Sequence, residues 1–419
     1  MRALLGQRCR LGKEDPVRLP ERMGIPGRIR PEGPLIWFHA ASVGEAQSTL
    51  ILIDALLAKS PAQNILVTTG TVTSARLMAS RLPSKTLHQF YPLDHPAWVK
   101  SFLDHWRPDL VLWMESELWP NMLAHIRERG IPAALINARL SPRSFKYWRA
   151  LADDAREVMG TFKIILAQTP EDAASFRALG ADNVLATDNL KYCAAPLPFD
   201  RTALDELRKA VSSRPLWLYA STHDGEEALA CRLHAALKKQ IPDLLTIVVP
   251  RHPERRQDIL AACKQVKLTA RLRRTEGSPM PDDDIYVADT LGEMGLFYSL
   301  SHLACIGRSF SLDGGGGHNP IEAAQLSCAV MHGPYVQNLA AIYRDMDEAG
   351  AALHLNSEEE FRAALEKFLT GQAALETQRE KAAAFVNDRT KVLQAVMAAL
   401  EPFLKELSSP RKKDRAACA

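Results

Sequence analysis

The sequence predicts an α/β protein made of two Rossmann-like domains that face one another across a cleft. Short apolar runs alternate with helical patterns along most of the chain, which is typical of parallel strands covered by helices. Residues 191–200, KYCAAPLPFD, interrupt this alternation with two prolines and no regular period, and the alternation then starts again. Because 419 residues exceed one ordinary hydrophobic core, we interpret the interruption as a linker between domains.

The predicted domains span residues 35–195 and 196–400, with a basic N-terminal segment at 1–34 and a polar tail at 401–419. Strands of the first domain are predicted at 35–39, 64–69, 86–90, 109–113, 132–136, 163–167 and 184–187. Strands of the second are predicted at 216–220, 244–249, 267–272, 285–288, 302–306 and 328–331. Residues 357–406 show helical patterns and no evident strand.

The composition indicates a globular enzyme in a reducing compartment. The seven cysteines form no C-x-x-C pair, which argues against a zinc ribbon or a disulfide framework. A net charge of +3 gives no reason to expect a nucleic-acid partner. The apolar run at residues 1–5 is too short for a spanning helix or an export signal, so we expect a cytosolic protein. Basic residues within 1–34 could hold it to an anionic membrane surface; a solvated basic arm is the alternative.

The stretch LIWFHAASVGE at residues 35–45 is the first candidate site. Its apolar beginning predicts a buried strand, its small residues predict a tight turn, and a helical pattern follows. Ligands of open α/β sheets bind beyond the carboxyl ends of strands, where Glu45 falls. Two interpretations stay open: Glu45 takes part in chemistry, or it only complements the N-terminus of the helix.

A glycine-rich stretch at residues 307–322, GRSFSLDGGGGHNPIE, is the second candidate site. It follows an apolar strand and precedes a helix that Asn319 and Pro320 are expected to start. Its glycines would let the backbone close on a phosphate group, and Glu322 would accept hydrogen bonds from a ribose. A flexible surface loop is the alternative interpretation.

Further polar turns follow predicted strands in both halves. These turns contain Glu115, Glu117, Arg139, Lys191, His223, Arg251 and Glu293. Together they predict a cleft lined by carboxylates and cations, because the ends of parallel strands meet at one edge of a sheet. No metal site is predicted, since His318 and Glu322 are four residues apart and no third ligand is spaced with them.

Seven segments together resemble the 3-deoxy-D-manno-octulosonic acid (Kdo) transferases of lipopolysaccharide synthesis. They are HAASVGE at 39–45, MESELWPN at 114–121, INARLS at 136–141, STHDGEE at 221–227, VPRHPER at 249–255, DTLGE at 289–293 and GGHNPIEAA at 316–324. They follow the family's order over roughly residues 35–400. The resemblance implies the GT-B glycosyltransferase fold, in which two Rossmann-like domains enclose a cleft.

The resemblance also implies an activity: transfer of Kdo from CMP-Kdo to lipid IVA, the tetraacylated lipid A precursor, with inversion. It implies that Glu45 is the general base and that Glu115 and Lys191 stabilise the transition state. It assigns the binding of CMP-Kdo to Pro250, Arg251, Leu291, Gly292, Glu293, Asn319, Pro320, Ile321 and Glu322. We expect no cofactor and no metal, and a peripheral position on the cytoplasmic face of the inner membrane. Many family members begin with an apolar anchor helix, which is not evident in this sequence.

Two other functions remain open at this stage. Another GT-B enzyme that uses a nucleotide sugar, such as a lipid A disaccharide synthase, would share the fold, and a non-catalytic module would bind lipid A without turnover. The Glu45 loop and the MESELWPN segment favour the Kdo transferase over the first alternative. The presence of Glu45, Glu115 and Lys191 argues against the second.

Overall fold

Residues 2–311, 313–389 and 391–408 are described by the computed structural model. They divide into two compact units, the first formed by described residues 2–194 and 391–408 and the second by residues 195–389. The boundary lies between Ala194 and Ala195, one residue before the predicted one.

The first unit holds a seven-stranded parallel sheet with the strand order β3-β2-β1-β4-β5-β6-β7. Its strands are β1 (Leu35–Ala40), β2 (Asn64–Thr69), β3 (Leu87–Phe90), β4 (Leu110–Met114), β5 (Ala133–Ala138), β6 (Ile164–Ala167) and β7 (Val184–Ala186). Its helices are α1 (Arg2–Arg10), α2 (Val43–Lys59), α3 (Val72–Arg81), α4 (Pro96–Trp106), α5 (Pro120–Glu128), α6 (Pro142–Ala150), α7 (Ala152–Met159) and α8 (Pro170–Ala178), and α18 (Lys391–Ser408) joins them from the end of the chain. Short 3-10 helices lie at Leu19–Met23 and Leu190–Cys193.

The second unit holds another seven-stranded parallel sheet, with the order β10-β11-β9-β8-β12-β13-β14. Its strands are β8 (Leu216–Thr222), β9 (Leu245–Pro250), β10 (Ala270–Leu272), β11 (Ile285–Val287), β12 (Leu303–Ile306), β13 (Ala329–His332) and β14 (Ala352–His354). Its helices are α9 (Arg201–Val211), α10 (Glu226–Leu237), α11 (Arg256–Gln265), α12 (Arg273–Glu276), α13 (Met294–Leu300), α14 (Ile321–Gln325), α15 (Ala340–Glu348), α16 (Glu358–Thr370) and α17 (Gln372–Asp388). Short 3-10 helices lie at Pro253–Arg255 and Gln337–Leu339.

The central strands are apolar throughout because both faces of each sheet are covered. In β1, Leu35 and Trp37 pack into one core of the first unit, whereas Ile36 and Phe38 pack into the core on the opposite face. Successive side chains of a strand point to opposite faces, so a strand covered on both sides needs an apolar residue at every position. The continuous apolar runs in the sequence are therefore the mark of buried parallel strands.

Helix α18 corrects the predicted domain division. Residues 391–400 were expected in the second domain, but Val392, Val396, Met397 and Leu400 pack into the core of the first unit together with β1. Residues 401–408, expected in a polar tail, continue the same helix, while residues 409–419 lie outside the described residues. The prediction failed because an amphipathic pattern predicts a helix without indicating which sheet the helix covers.

The N-terminal segment is part of the first unit rather than a separate region. Arg18 and Arg22 donate hydrogen bonds to the backbone oxygens of His88 and Tyr91, at the end of β3. Glu21 accepts a hydrogen bond of 2.7 Å from the backbone N–H of Phe90. These contacts attach the segment to the edge of the sheet where β3 ends.

One strand was not predicted at all. Strand β14 has only three residues, and it pairs with β13 at the edge of the second sheet. A run of three residues is too short to show the period of a strand. Within the described residues, no helix has both the length and the hydrophobicity that crossing a bilayer requires.

Candidate functional site

The first unit brings Glu45 and Glu115 to its topological switch point. Strand β1 lies between β2 and β4, so the connections that leave β1 and β4 run to opposite sides. Ligands of such sheets bind in the crevice at the carboxyl ends of these two strands. Glu45 lies on the first turn of α2, directly after β1, and Glu115 follows the last residue of β4.

Glu45 is buried and hydrogen-bonded to the turn that precedes its helix. Its Oε2 accepts a hydrogen bond of 2.7 Å from the Ala41 N–H, and its Oε1 accepts one of 2.9 Å from the Ser42 hydroxyl. Ser42 Oγ in turn accepts from the Glu45 N–H and caps the helix, an arrangement close to a capping box. This geometry holds the carboxylate in one orientation at the end of β1.

The pKa of Glu45 is raised to about 7. Burial is the largest cause, and the negative charge of Glu115 adds to it, while the hydrogen bonds from Ala41 and Ser42 act in the opposite direction. Because the two hydrogen bonds occupy one lone pair on each oxygen, each oxygen keeps another for an incoming hydroxyl group. Glu45 can therefore accept a proton near neutral pH.

Lys191 lies beside Glu115 and close to Gly44, the residue before Glu45. Its Nζ lies 3.0 Å from Glu115 Oε1, and an ideal Cβ built on Gly44 would lie 3.6 Å from the same Nζ. Glu115 has a left-handed backbone with φ of 55°, a strained conformation for a residue with a side chain. The three predicted catalytic residues of the first unit are thus at one edge of one sheet.

A buried polar network that the sequence analysis missed positions Lys191. Asn137 Oδ1 accepts a hydrogen bond of 3.0 Å from the Leu190 N–H, and the Asn137 carbonyl accepts one of 2.9 Å from Gln168. Gln168 accepts from the amide of Asn189, whose Oδ1 accepts from the Lys191 N–H. The sequence feature that could have indicated this network is Asn137, a polar residue inside the otherwise apolar strand AALINA.

The second unit has its own switch point, between β8 and β12. His223 follows β8, and His318 ends the loop that begins after β12. Their Nε2 atoms lie 3.0 Å apart, and His223 Nδ1 lies 3.2 Å from Asp313 Oδ2. Burial first, and then the positive groups of His223 and Arg251, lower the pKa of His318 to about 4.

Glu226 fixes the start of the glycine-rich loop. Its buried carboxylate accepts four backbone N–H groups, at 2.8 Å from His223, 2.8 Å from Arg308, 3.0 Å from Ser309 and 2.9 Å from Phe310. Burial is nevertheless the larger effect, and the pKa of Glu226 is raised. Glu226 of the STHDGEE motif therefore holds the beginning of the glycine-rich loop in place.

The backbone of the glycine-rich loop has a conformation that favours glycine at four successive positions. Residues 314, 315, 316 and 317 have φ angles of +104°, +56°, +125° and +67°, where side chains are strained. A Cβ on Gly316 would also lie 2.1 Å from Asn338 Nδ2. The N–H groups of residues 315–318 donate to Asp313, Tyr335, Arg308 and Gly307. The protein itself engages these four N–H groups, and the closing of the glycine backbone on a phosphate stays a prediction.

The predicted donor-binding residues after this loop remain together. Asn319 Oδ1 accepts from the Ile321 N–H, and its amide nitrogen lies 3.3 Å from Glu322 Oε1. Pro320 precedes α14, and Ile321 is buried in the second unit. Burial raises the pKa of Glu322, while the Asn319 amide and then the Arg251 guanidinium act against this.

Pro250 and Arg251 mark the end of β9, beside the second switch point. Pro250 is the last residue of the strand, and the Arg251 N–H donates a hydrogen bond of 3.0 Å to the Thr222 carbonyl of β8. The Arg251 side chain is exposed.

The DTLGE motif, residues 289–293, is bound to the protein through an ion pair of its glutamate. Glu293 forms a bidentate ion pair with Arg273, at 2.5 Å and 2.7 Å, and this pair lowers the pKa of Glu293. Gly292 has a φ of +83°, and Leu291 is 75% exposed. The carboxylate of Glu293 is therefore engaged by the protein, whereas Leu291 is open to solvent.

The chain is similar to known proteins over most of its length. A family profile described as "3-Deoxy-D-manno-octulosonic-acid transferase (kdotransferase)" matches residues 17–194. A protein of Rickettsia bellii (strain RML369-C) named 3-deoxy-D-manno-octulosonic acid transferase is 34% identical over 398 residues, which cover 94% of each chain. The chain belongs to the 3-deoxy-D-manno-octulosonic acid (Kdo) transferase family. The predicted family and its glycosyltransferase class are thereby confirmed.

Solved structures confirm the fold predicted for this Kdo transferase. The UDP-GlcNAc 2-epimerase of Neisseria meningitidis has a TM-score of 0.59 at 13% identity, covering 88% of this chain and 100% of its own. The Acinetobacter baumannii MurG has a TM-score of 0.55 at 14% identity, covering 88% of this chain and 99% of its own. Together with the two parallel sheets, these similarities show the GT-B fold.

The site residues predicted for the Kdo transferase fall into three groups. Glu45, Glu115 and Lys191 meet at the switch point of the first unit. Asn319 and Glu322 meet near Arg251 in the second unit. The third group, residues 291–293, is attached to α12 through Arg273. The first group can exchange a proton, and the second offers polar atoms for a nucleoside.

Proposed function

We propose that the protein transfers Kdo from CMP-Kdo to a hydroxyl group of lipid IVA, with inversion at the anomeric carbon. The family supports the transfer of Kdo, and one observation supports the mechanism. Glu45 is a buried carboxylate whose pKa is about 7, and it lies next to an ion pair of Glu115 and Lys191. A sugar hydroxyl is a poor nucleophile, so a base must remove its proton as the new bond forms.

In the proposed reaction, Glu45 accepts the proton of the acceptor hydroxyl. The hydroxyl oxygen forms a bond to the anomeric carbon of Kdo while the bond from that carbon to the phosphate oxygen of CMP breaks. A single displacement of this kind inverts the anomeric carbon. The electron pair of the broken bond leaves with CMP, and the proton stays on Glu45 until solvent removes it.

Positive charge and hydrogen-bond donors would stabilise the CMP leaving group. Lys191 carries a cation at the first switch point, held in place by Asn189 and Glu115. Arg251, the amide of Asn319 and the carboxylate of Glu322 offer complementary groups to the phosphate and ribose of CMP. We propose that Lys191, Arg251 and the Asn319 amide stabilise the charge of the leaving phosphate without a metal ion or a cofactor, while Glu322 accepts hydrogen bonds from the ribose.

The proposed acceptor is a lipid, so the protein has to reach a membrane. The N-terminal segment carries exposed cations at Arg10, Lys13 and Arg28. Cations of this kind are attracted to anionic lipids. We propose a peripheral position on the cytoplasmic face of the inner membrane, with this segment towards the lipid.

The proposal is tested by incubating the purified protein with CMP-Kdo and lipid IVA and weighing the lipid products by mass spectrometry. We expect a mass gain that corresponds to whole Kdo residues, with one CMP released for each. Release of CMP without a gain in lipid mass, or a gain that requires a different sugar nucleotide, would contradict the assigned donor and acceptor.

A further inference from the structure

An apolar cavity of about 550 Å³ lies between the N-terminal segment and α4. It is lined by Leu5, Gly6, Leu19, Met23, Ile25, Trp98 and Ser101. Its size falls in the range of cavities that bind small molecules, and its walls are mostly apolar. An apolar wall of this kind suits a hydrocarbon ligand and not a sugar or a nucleotide.

The walls of this cavity are held firmly. Gly24 has a φ of +75°, and a Cβ at this position would lie 2.1 Å from the Trp98 carbonyl oxygen. The Ser101 hydroxyl donates a hydrogen bond of 3.1 Å to the Gly24 carbonyl. Glu14 forms ion pairs with Arg8 at 2.7 Å and with Arg22 at 3.2 Å. The segment therefore presents a formed cavity and not a loose arm.

The surface around the cavity has the character of a lipid-binding surface. Four large apolar side chains of the segment, within 19 consecutive residues, are exposed to solvent. They are Leu11 (62%), Val17 (87%), Ile25 (51%) and Ile29 (89%). Ile25 is both exposed and part of the cavity lining, so the cavity opens to the surface. The exposed cations Arg10, Lys13 and Arg28 have no ion-pair partner in the part of the chain that the structure describes. Their charge complements phosphate groups of an anionic lipid.

The segment that lines the cavity is attached to the edge of the first sheet that carries Glu45. The N-terminal segment is attached where β3 ends, and Glu45 follows the end of β1. Strand β2 lies between β3 and β1, which sets their separation at about 10 Å. The ring of Tyr91, just after β3, lies 4.0 Å from the ring of His39 in β1. The ends of β1 and β3 are therefore closer together than the length of an extended fatty acyl chain.

We propose that this cavity holds one fatty acyl chain of the lipid acceptor while a hydroxyl of the acceptor's sugar reaches Glu45. The inference rests on the proposed lipid acceptor and adds the part of the protein that recognises its chain. Arg10 and Lys13, which follow the α1 residues of the lining, hold the phosphate groups of the same molecule. The chain in the cavity orients the sugar, so the acceptor is selected by its acyl groups as well as by its head.

The test compares Ile25→Asp with Ile29→Asp. Both residues are exposed isoleucines of the same segment and receive the same charge, but Ile25 lines the cavity and Ile29 does not. The dissociation constant of lipid IVA is measured without donor, in detergent, for each variant and the unmodified protein. A carboxylate at the mouth of an apolar site opposes a hydrocarbon ligand, so we expect Ile25→Asp to weaken binding at least about tenfold. Ile29→Asp should change binding less than about threefold.

A de-acylated form of the acceptor provides the control for damage elsewhere. Its affinity should be the same for all three proteins, because it has no chain to place in the cavity. Equal weakening by both variants would assign the segment to general contact with lipid surfaces and would overturn the cavity as an acyl-chain site. Unchanged binding by Ile25→Asp would also overturn the cavity as an acyl-chain site. Because binding is measured without CMP-Kdo, absence of Kdo transfer would contradict the proposed function and leave this comparison decisive.

Discussion

Glu45 joins two roles that the sequence leaves as alternatives. Its hydrogen bonds to Ala41 and Ser42 complete the cap of α2, as the structural interpretation requires. A cap of this kind normally favours the ionised carboxylate. Here burial and the nearby charge of Glu115 outweigh the cap and raise the pKa of Glu45 to about 7. The cap fixes the orientation of the base, and the burial gives it a proton affinity that suits catalysis near neutral pH.

The first prediction is a pH dependence of kcat/KM that Glu115 controls. The base acts as the carboxylate, so the rate should rise as the pH increases through about 7, where Glu45 loses its proton. Glu115→Gln removes the neighbouring negative charge and should move the inflection to lower pH. Glu117 contributes least to the raised pKa, so Glu117→Gln should move the inflection less.

The profiles are measured with limiting acceptor and saturating CMP-Kdo between pH 5 and pH 9, roughly two units either side of the inflection. An inflection that stays in place in Glu115→Gln would contradict the coupling between the two carboxylates. A rate that falls as the pH rises through this range would contradict Glu45 as the base.

Single elements show how far the sequence predicts the fold. Strands β1, β2 and β4 were predicted to within a residue at each end, because a buried parallel strand is apolar at every position. Strand β14 is too short for such a pattern, and α18 shows a helical period that does not say which unit it joins. Asn137, Gln168 and Asn189 could not be grouped from sequence, because they are distant in the chain and meet only when β5, β6 and the Lys191 turn are in place.

The second prediction tests the assignment of α18 to the first unit. Leu400 is fully buried against the core that contains β1, so Leu400→Ala should lower the free energy of unfolding of the first unit by about 2–5 kcal/mol. Leu365→Ala removes an equally buried leucine from the core of the second unit and is the matched control. Hydrogen exchange followed by mass spectrometry reports which strands each variant exposes.

We expect Leu400→Ala to speed amide exchange in β1, β2 and β4 and to leave β8 and β9 unchanged. Leu365→Ala should have the opposite pattern. Faster exchange in β8 and β9 in Leu400→Ala would show that α18 belongs to the second unit, as predicted from the sequence.

At the scale of the whole molecule, each unit repeats the same design with different chemistry. The switch point between β1 and β4 presents two carboxylates and a lysine, whereas the one between β8 and β12 presents histidines and Asp313 near Arg251. The motifs in the sequence identified both groups because polar residues directly follow apolar strands. The sequence could not show that the glycine loop uses its own N–H groups, since that depends on the contacts with Tyr335 and Arg308.

The third prediction concerns the donor. Glu322→Ala removes an acceptor proposed to bind the ribose of CMP-Kdo and should raise the KM for CMP-Kdo by about fivefold to a hundredfold. The KM for lipid IVA should stay the same, because the acceptor is proposed to bind the first unit. Steady-state kinetics with each substrate varied in turn separates the two. An unchanged KM for CMP-Kdo, or an equal rise for both substrates, would contradict the ribose contact.

The most direct test of the central claim is the turnover of Glu45→Gln. The carbonyl oxygen of glutamine can still accept from the Ala41 N–H, and its NH2 can donate to the Ser42 hydroxyl oxygen, but glutamine cannot accept the proton. The amount of Kdo-modified lipid IVA formed by the variant and by the unmodified protein is measured by mass spectrometry at pH 8, with the binding of CMP measured in parallel. We predict a rate lower by about a hundredfold to ten-thousandfold with unchanged CMP affinity. Transfer by Glu45→Gln at a rate comparable to that of the unmodified protein would show that another group removes the proton.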